Sequence, residues 1–192
     1  VSEGEMPGRE VPVAATRYEA YSHEALAAEV EDGNDPEAAG GIGAAWDALA
    51  RRMHDATSEL AGLIGSSEEN WRGEAGDALR GVLATASGWL TWSADLSSAL
   101  GQAISGQAEV AARARADMPP PVEFDPGAMI RGAAAGGNLL ALAALADEME
   151  ARRAEAEEAR RKAVDVMNTR DASLRSLTPR VSFGKPPELG RS

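Results

Sequence analysis

The sequence predicts an all-α protein: an elongated helical bundle of about five helices, built on one long antiparallel helical hairpin with a Trp-x-Gly turn. Three observations carry that prediction. Large apolar residues recur every three or four positions through two long stretches, the spacing of one helical face. The breaks between stretches are clusters of Gly, Pro, Asn and Asp, which punctuate helices. No segment carries the alternation that marks a half-buried strand.

Composition agrees with a folded chain. Of 192 residues, 44% are hydrophobic and 26% charged, too apolar for disorder throughout. There are 31 acidic and 19 basic residues, giving a formal net charge of −12. Residues 1–37 hold ten acids and two arginines, so most of that charge sits at the start. No basic patch exists, and an acidic chain repels phosphate backbones, so no nucleic-acid partner is expected. The same repulsion counts against an anionic membrane surface. No run of some 18 apolar residues is present, so no membrane span is expected. No basic-then-apolar pattern opens the chain, so export by an ordinary signal peptide is not expected. Cysteine is absent, and only two histidines occur, His23 and His54. Disulfides and thiolate chemistry are excluded, and most metal and triad chemistries lack parts. No cofactor, metal site or catalytic residue is expected.

Residues 1–15 are polar and contain Gly and Pro, and are expected to form a flexible arm. Thr16 and Glu19 fit a capping box for a short first helix carrying Tyr18, Leu26 and Val30. Asp32-Gly33-Asn34 reads as its stop. Asp35-Pro36-Glu37 is a helix start: Asp caps, Pro takes the first helical position, and Glu favours the positive end of the dipole. The second helix carries Trp46, Leu49, Met53, Leu60 and Leu63, with Ala56 filling the gap, and is expected to end near Gly65-Ser66-Ser67. A third helix, over about 74–116, holds Leu79, Val82, Leu83, Trp89, Leu90, Trp92, Leu96, Leu100 and Ile104. At 100° per residue these span an arc of about 180°, where one neighbour needs only about 100°. Contact on two sides follows. Such a helix would be roughly 65 Å long. A compact domain of this size has a radius of gyration near ~16 Å, so the molecule should be a rod.

Met118-Pro119-Pro120-Pro121 stops the third helix and holds an extended connector. Asp125-Pro126 starts a fourth with the same cap logic as Asp35-Pro36. Gly136-Gly137-Asn138 breaks it. A last helix is expected from about Asn138 to Ser173. It begins with Leu139, Leu140, Leu142 and Leu145. It continues through 147–162, where 11 of 16 residues are charged. Glu148–Arg152, Glu157–Arg161 and Glu158–Lys162 stand four apart in the favourable order, on a solvated face. Val164, Met167, Leu174 and Leu177 resume apolar contact. The helical domain is thus placed at 16–178, and 179–192 reads as an irregular tail.

The ordered set of motifs resembles the PPE branch of the WXG superfamily of actinobacterial type VII (ESX) secretion substrates. The matching stretches are AAWDALARRMHDATSELAGLI, ENWRGEAGDALRG and GWLTWSADL. They are followed by MPPP at 118–121, by GGNLLALAALADEME, and by the close from Leu177-Thr178-Pro179 to Lys185-Pro186-Pro187. The resemblance covers about residues 16–187. Two features depart from it. The Pro-Pro-Glu that names the family is replaced by Tyr18-Glu19-Ala20-Tyr21-Ser22-His23-Glu24. The Tyr-x-x-x-Asp/Glu export motif is absent, because Ser22 follows Tyr18 and Ala25 follows Tyr21 at the fourth position. In the family that motif commonly sits on the partner.

The resemblance implies a non-enzymatic secretion substrate or secretion-system component. It would be cytoplasmic before export and then secreted or held at the cell surface. Its implied partners are a small PE-like or WXG-type helical-hairpin protein, an EspG-type cytoplasmic chaperone and the secretion ATPase. Trp71 and Gly73 would supply the chain's half of a composite export signal. Independently of family, Gly73 can take positive φ at the corner and Trp71 can cover the open end of the helix pair. Candidate partner-binding residues are Trp46, Leu49, Met53, Leu60, Trp89, Trp92, Leu96 and Leu100, each of which could equally be intramolecular core. Candidate chaperone-binding residues are Leu139, Leu140, Leu142 and Leu145, which could equally make an ordinary helix contact. His23 and His54 read as surface or capping residues. Two other functions fit the same residues: a self-assembling secreted structural protein, or the N-terminal targeting domain of a larger secreted effector.

Overall fold

The structure is a computed structural model. It describes residues 16–135, 139–178 and 184–187, the side chains of 68–70 and 139–143 excepted. A 3-10 turn, Tyr18–Ala20, precedes five α-helices among these residues: α1 (His23–Glu31), α2 (Pro36–Asn70), α3 (Glu74–Asp117), α4 (Pro126–Ala135) and α5 (Leu139–Ser176). No strand occurs among the described residues. The all-α class and the long hairpin of α2 and α3 are therefore as expected.

Local chemistry sets most boundaries. Asp35 Oδ1 accepts the Ala38 N–H at 2.9 Å, with Pro36 in the first helical position. Asp125 Oδ1 does the same for Ala128 at 2.9 Å at the start of α4. Each satisfies a backbone donor that the helix cannot. Gly33 takes φ 65 in the turn after α1. The triproline follows the last residues of α3 without helix. The arm at 1–15, the Gly136-Gly137-Asn138 break, and tail residues 179–183 and 188–192 lie outside the described residues. Residues 184–187 have no regular structure.

Three expectations are corrected. No capping box forms at Thr16: the 3-10 turn has no side-chain cap, and α1 is capped by Ser22, whose Oγ accepts from Ala25 N at 3.2 Å. Helix α2 does not stop at Gly65-Ser66-Ser67 but runs to Asn70. Ser66 and Ser67 turn their hydroxyls onto the Leu63 and Ile64 carbonyls, at 3.1 and 2.8 Å, so they stay inside the helix without an unmet donor. In the charged run only Glu158–Lys162 pairs as expected, at 2.9 Å. Arg152 goes instead to Glu155 and to the Glu123 carbonyl, and Glu157 to Arg153.

One fully buried core lies where four elements meet. Tyr18, Leu26, Val30, Ala114, Ala163, Val164 and Met167 form it, from the 3-10 turn, α1, α3 and α5. Burying Leu26, Val30 and Met167 contributes roughly 1.5–3 kcal/mol each. Arginines tie the N-terminal segment to it. Arg115 Nη2 donates to the Glu31 and Asn34 carbonyls at 3.0 and 2.9 Å. Arg160 Nε donates to the Tyr21 carbonyl at 3.2 Å. Arg170 Nη2 reaches Glu29 at 2.8 Å and the Tyr18 hydroxyl at 3.0 Å. His23 is buried, a correction to its surface reading: Nε2 lies 2.9 Å from the Pro119 carbonyl and joins α1 to the triproline.

Helix α5 runs antiparallel to α3. Val166, Thr169 and Ser173 share a cleft with Val110, Arg113 and Asp117. Leu177 sits over Gly106, where a β-carbon would stand 3.2 Å from its methyl carbons. The first half of α5 therefore overruns the end of α3, with α4 packed beside it. At 1.5 Å per residue the axis from the Trp71 corner to the start of α5 is about 100 Å. The molecule is a rod.

Candidate functional site

Two helices alone cannot bury a wide apolar arc, and the hairpin shows how the surplus is disposed. Where the structure brings the backbones of α2 and α3 closest, the residues are small. Gly43 and Ala50 are buried on α2, and Ser93, Ala94, Ser97 and Gly101 on α3. A β-carbon at Gly43 would stand 2.9 Å from the Gly101 carbonyl, and one at Gly101 would stand 2.9 Å from the Gly43 carbonyl. The backbones meet there directly.

The large residues flank this seam. On α2, Ile42, Trp46, Leu49, Met53, Ala56, Leu60 and Leu63 follow one another at spacings of four and three, which is a heptad seam. Ile42, Leu49, Ala56 and Leu63 lie about 100° round the helix from Gly43, Ala50 and Thr57. Ile42 is 54% exposed and Leu63 61%. Trp46, Leu49, Met53 and Leu60 are half-buried. On α3, Val82, Trp89 and Leu100 are offset from the seam in the same rotational sense. In an antiparallel pair, offsets of the same sense fall on the same side. The hairpin thus has one apolar face, drawn from both helices.

The opposite face is polar and closed. Ser98 Oγ donates to Asp47 Oδ1 at 3.3 Å, and exposed His54 lies 3.4 Å from Asp95. Arg51 stands 3.7 Å from Asp47 on the same side. A docking helix would displace solvated charges there, so the apolar face is the available one.

Of the residues singled out from sequence, the structure gathers Trp46, Leu49, Met53, Leu60, Trp89 and Leu100 on the apolar face. Leu96 is 8% exposed within the lone chain. Trp92 lies further round α3 than Trp89, and a β-carbon on Gly184 would stand 3.4 Å from its ring. Sequence reasoning missed Ile42 as a member of the seam. The signal was there, four residues before Trp46. The Trp89 indole N–H and the Ser93 hydroxyl, one turn apart on α3, are buried without a hydrogen-bond partner among the described residues. Such groups cost about 1–3 kcal/mol each.

At the hairpin corner Trp71 terminates α2, its N–H bonded to the Ser67 carbonyl at 2.9 Å. Gly73 precedes α3 with φ 103, a conformation that L side chains rarely adopt. Trp71 is 56% exposed. At the other end, the side chains of Leu139, Leu140 and Leu142 lie outside the described residues, and Leu145 is half-buried.

No cluster of His, Asp or Glu among the described residues could hold a metal ion. No described helix is long and apolar enough to cross a membrane. A family model described as PPE family matches residues 17–181. No curated protein matches the chain.

Proposed function

We propose, from the premise that this chain belongs to the PPE family, that it is a non-enzymatic substrate or component of a type VII (ESX) secretion system. Family membership associates the chain with type VII secretion. The finer reading is that it pairs with a small PE-like or WXG-type helical hairpin along the apolar face. The carrying observation is the heptad seam from Ile42 to Leu63, left half open because Gly43, Ala50 and Gly101 make the internal contact. A heptad seam of large residues fits another helix. It spans three heptads, or roughly 32 Å of partner helix. Val82, Trp89 and Leu100 would receive the second helix of the hairpin, completing a four-helix bundle. Hydrophobic burial is the main stabilising contribution to such a pair.

In this reading Trp71 and Gly73 supply one half of a composite export signal and the partner supplies an acidic Tyr motif, which this chain lacks. The leucines at the start of α5 are the proposed seat of an EspG-type chaperone before export, and the secretion ATPase reads the assembled signal. The chain is then released or held at the cell surface.

The test is co-expression with a PE-like hairpin protein of the same genome, for wild type and for Leu63→Asp and Ile42→Asp. A 1:1 complex that both substitutions weaken by tenfold or more supports the reading, since seam anchors typically cost more than about 1–2 kcal/mol when lost. Binding that ignores both substitutions sinks the assignment of the face. A defined homo-oligomer sensitive to the same substitutions would make the second occupant another copy of the chain.

A further inference from the structure

The reading of Trp71 and Gly73 as half of an export signal leaves open what holds the tryptophan in place. We propose that the corner is a ten-residue unit, Trp71 to Arg80, in which Gly76 and Arg80 are positioning residues that fix Trp71 for recognition. The inference rests on the export reading for its purpose, and on geometry alone for its mechanism.

Trp71 closes α2, so its carbonyl has no partner within that helix. Arg80 Nη1, from the second turn of α3, donates to it at 2.9 Å. The other guanidinium nitrogen, Nη2, is held by Asp77 Oδ1. Only 19% of the Arg80 side chain is exposed, although it stands at the end of the molecule. The guanidinium is therefore used as a fork, one arm anchored on its own helix and the other on the preceding one. An ammonium group cannot present two such donors in a fixed plane.

Gly76 acts through space and not through conformation. It is buried, and a β-carbon on it would overlap the Trp71 carbonyl oxygen and stand 3.0 Å from the carbonyl carbon. Any side chain there pushes the first turn of α3 off Trp71 and lengthens the Arg80 bond. Gly73 is the reverse case. Its φ of 103 needs glycine, yet nothing lies within 4 Å of its β-carbon position. Two glycines three residues apart thus serve one corner for two different physical reasons.

The product is a backbone clamped on both sides with an indole that stays largely in solvent. An exposed aromatic held in one place loses little entropy on binding, which is what an interface anchor requires.

Indole N–H cross-peaks in a 1H–15N spectrum of the full chain test this. The protein has four tryptophans, and Trp71→Phe assigns one. Arg80→Ala and Gly76→Ala are each expected to shift the Trp71 indole peak while Trp46, Trp89 and Trp92 stay in place and helicity is kept. Arg80→Lys should restore the peak only in part, and Gly81→Ala should leave it unmoved. A Trp71 peak unchanged by both Arg80→Ala and Gly76→Ala overturns the proposal. In a secreting host carrying the partner, both variants should reduce export while still forming the complex. Full export of both, where Trp71→Ala abolishes it, also overturns the proposal. If Trp71→Ala is itself exported like wild type, the export reading fails while the spectrum still decides the clamp.

Discussion

Replacing Gly43 by Ala and Gly88 by Ala is the same chemical change made twice on one hairpin. Both residues lie inside long helices, Gly43 in α2 and Gly88 in α3. A glycine inside a helix costs roughly 0.5–1 kcal/mol relative to alanine, so on propensity alone both changes stabilise. At Gly88 nothing lies within 4 Å of the new carbon, and the gain should be realised in full. At Gly43 the carbon would stand 2.9 Å from the Gly101 carbonyl oxygen and 3.0 Å from the Ser105 amide nitrogen. Both are backbone atoms of α3, so relief requires the helices to separate. Overpacking of this kind costs about 1–3 kcal/mol. The propensity gain is common to the two variants, so their difference isolates the contact cost. Urea unfolding followed by circular dichroism should place Gly43→Ala about 1–3 kcal/mol below Gly88→Ala. In heating, each kcal/mol corresponds to roughly 2–4 °C for a chain of this size. Equal gains in both variants would refute direct backbone contact at Gly43 and Gly101, and with it the reason that the large residues face outward.

Tyr18→Phe removes a hydroxyl that donates to Asp171 at 2.6 Å and should cost roughly 1.5–3 kcal/mol, read from the same unfolding curves. Burial, then the bond to Asp171, raises the Tyr18 phenol above its ordinary value of 10.0, so its contribution is present below pH 10 and is lost as the pH rises through the raised value. An alkaline unfolding step in wild type that the Tyr18→Phe variant does not show would confirm this; identical alkaline curves would contradict it. At the start of α1, bonds from its own backbone N–H and from Ser22 hold the Glu24 carboxylate below its ordinary 4.5. That contribution is present at neutral pH and disappears as the pH falls through the lowered value. Amide shifts of His23 to Glu31 should therefore move in acid at a higher pH in Ser22→Ala than in wild type, and coincident titrations would refute the bond from Ser22 to Glu24. Leu63→Asp should change the stability of the lone chain by no more than about 0.5 kcal/mol, because the side chain is already exposed. A loss of several kcal/mol would mean that Leu63 is covered within the chain.

Much of the fold is written in short-range signals. Asp35-Pro36 and Asp125-Pro126 start helices by capping chemistry that four residues contain. Met118 and the triproline end α3 because proline cannot continue it. The corner at Trp71 to Gly73 is legible for the same reason. What sequence reading lost depends on which partners the side chains and backbone find once the chain has folded. Ser66 and Ser67 look like a stop and become helix, since each hydroxyl finds a carbonyl within its own turn. Thr16 fits a capping box by local pattern, yet Ser22 caps α1, between Tyr18 and His23, whose partners Asp171 and Pro119 lie far along the chain. Trp92 and Trp89 are three residues apart and read as one stripe. They diverge because the seam with α2 runs through Ser93, Ala94 and Ser97, small residues that carry no apolar signal of their own. Arg80 and Gly76 were invisible as a clamp for a similar reason: their target is a backbone carbonyl, which no side-chain pattern marks.

The mass in solution of the purified chain, by light scattering after size exclusion, tests the central claim most directly. It should be measured alone and after co-expression with a PE-like hairpin protein of the same genome. The account predicts a 1:1 heterodimer that keeps the chain soluble and that Leu63→Asp dissociates. A well-behaved monomer that ignores every such hairpin would contradict it, as would a heterodimer indifferent to every substitution along the seam from Ile42 to Leu63.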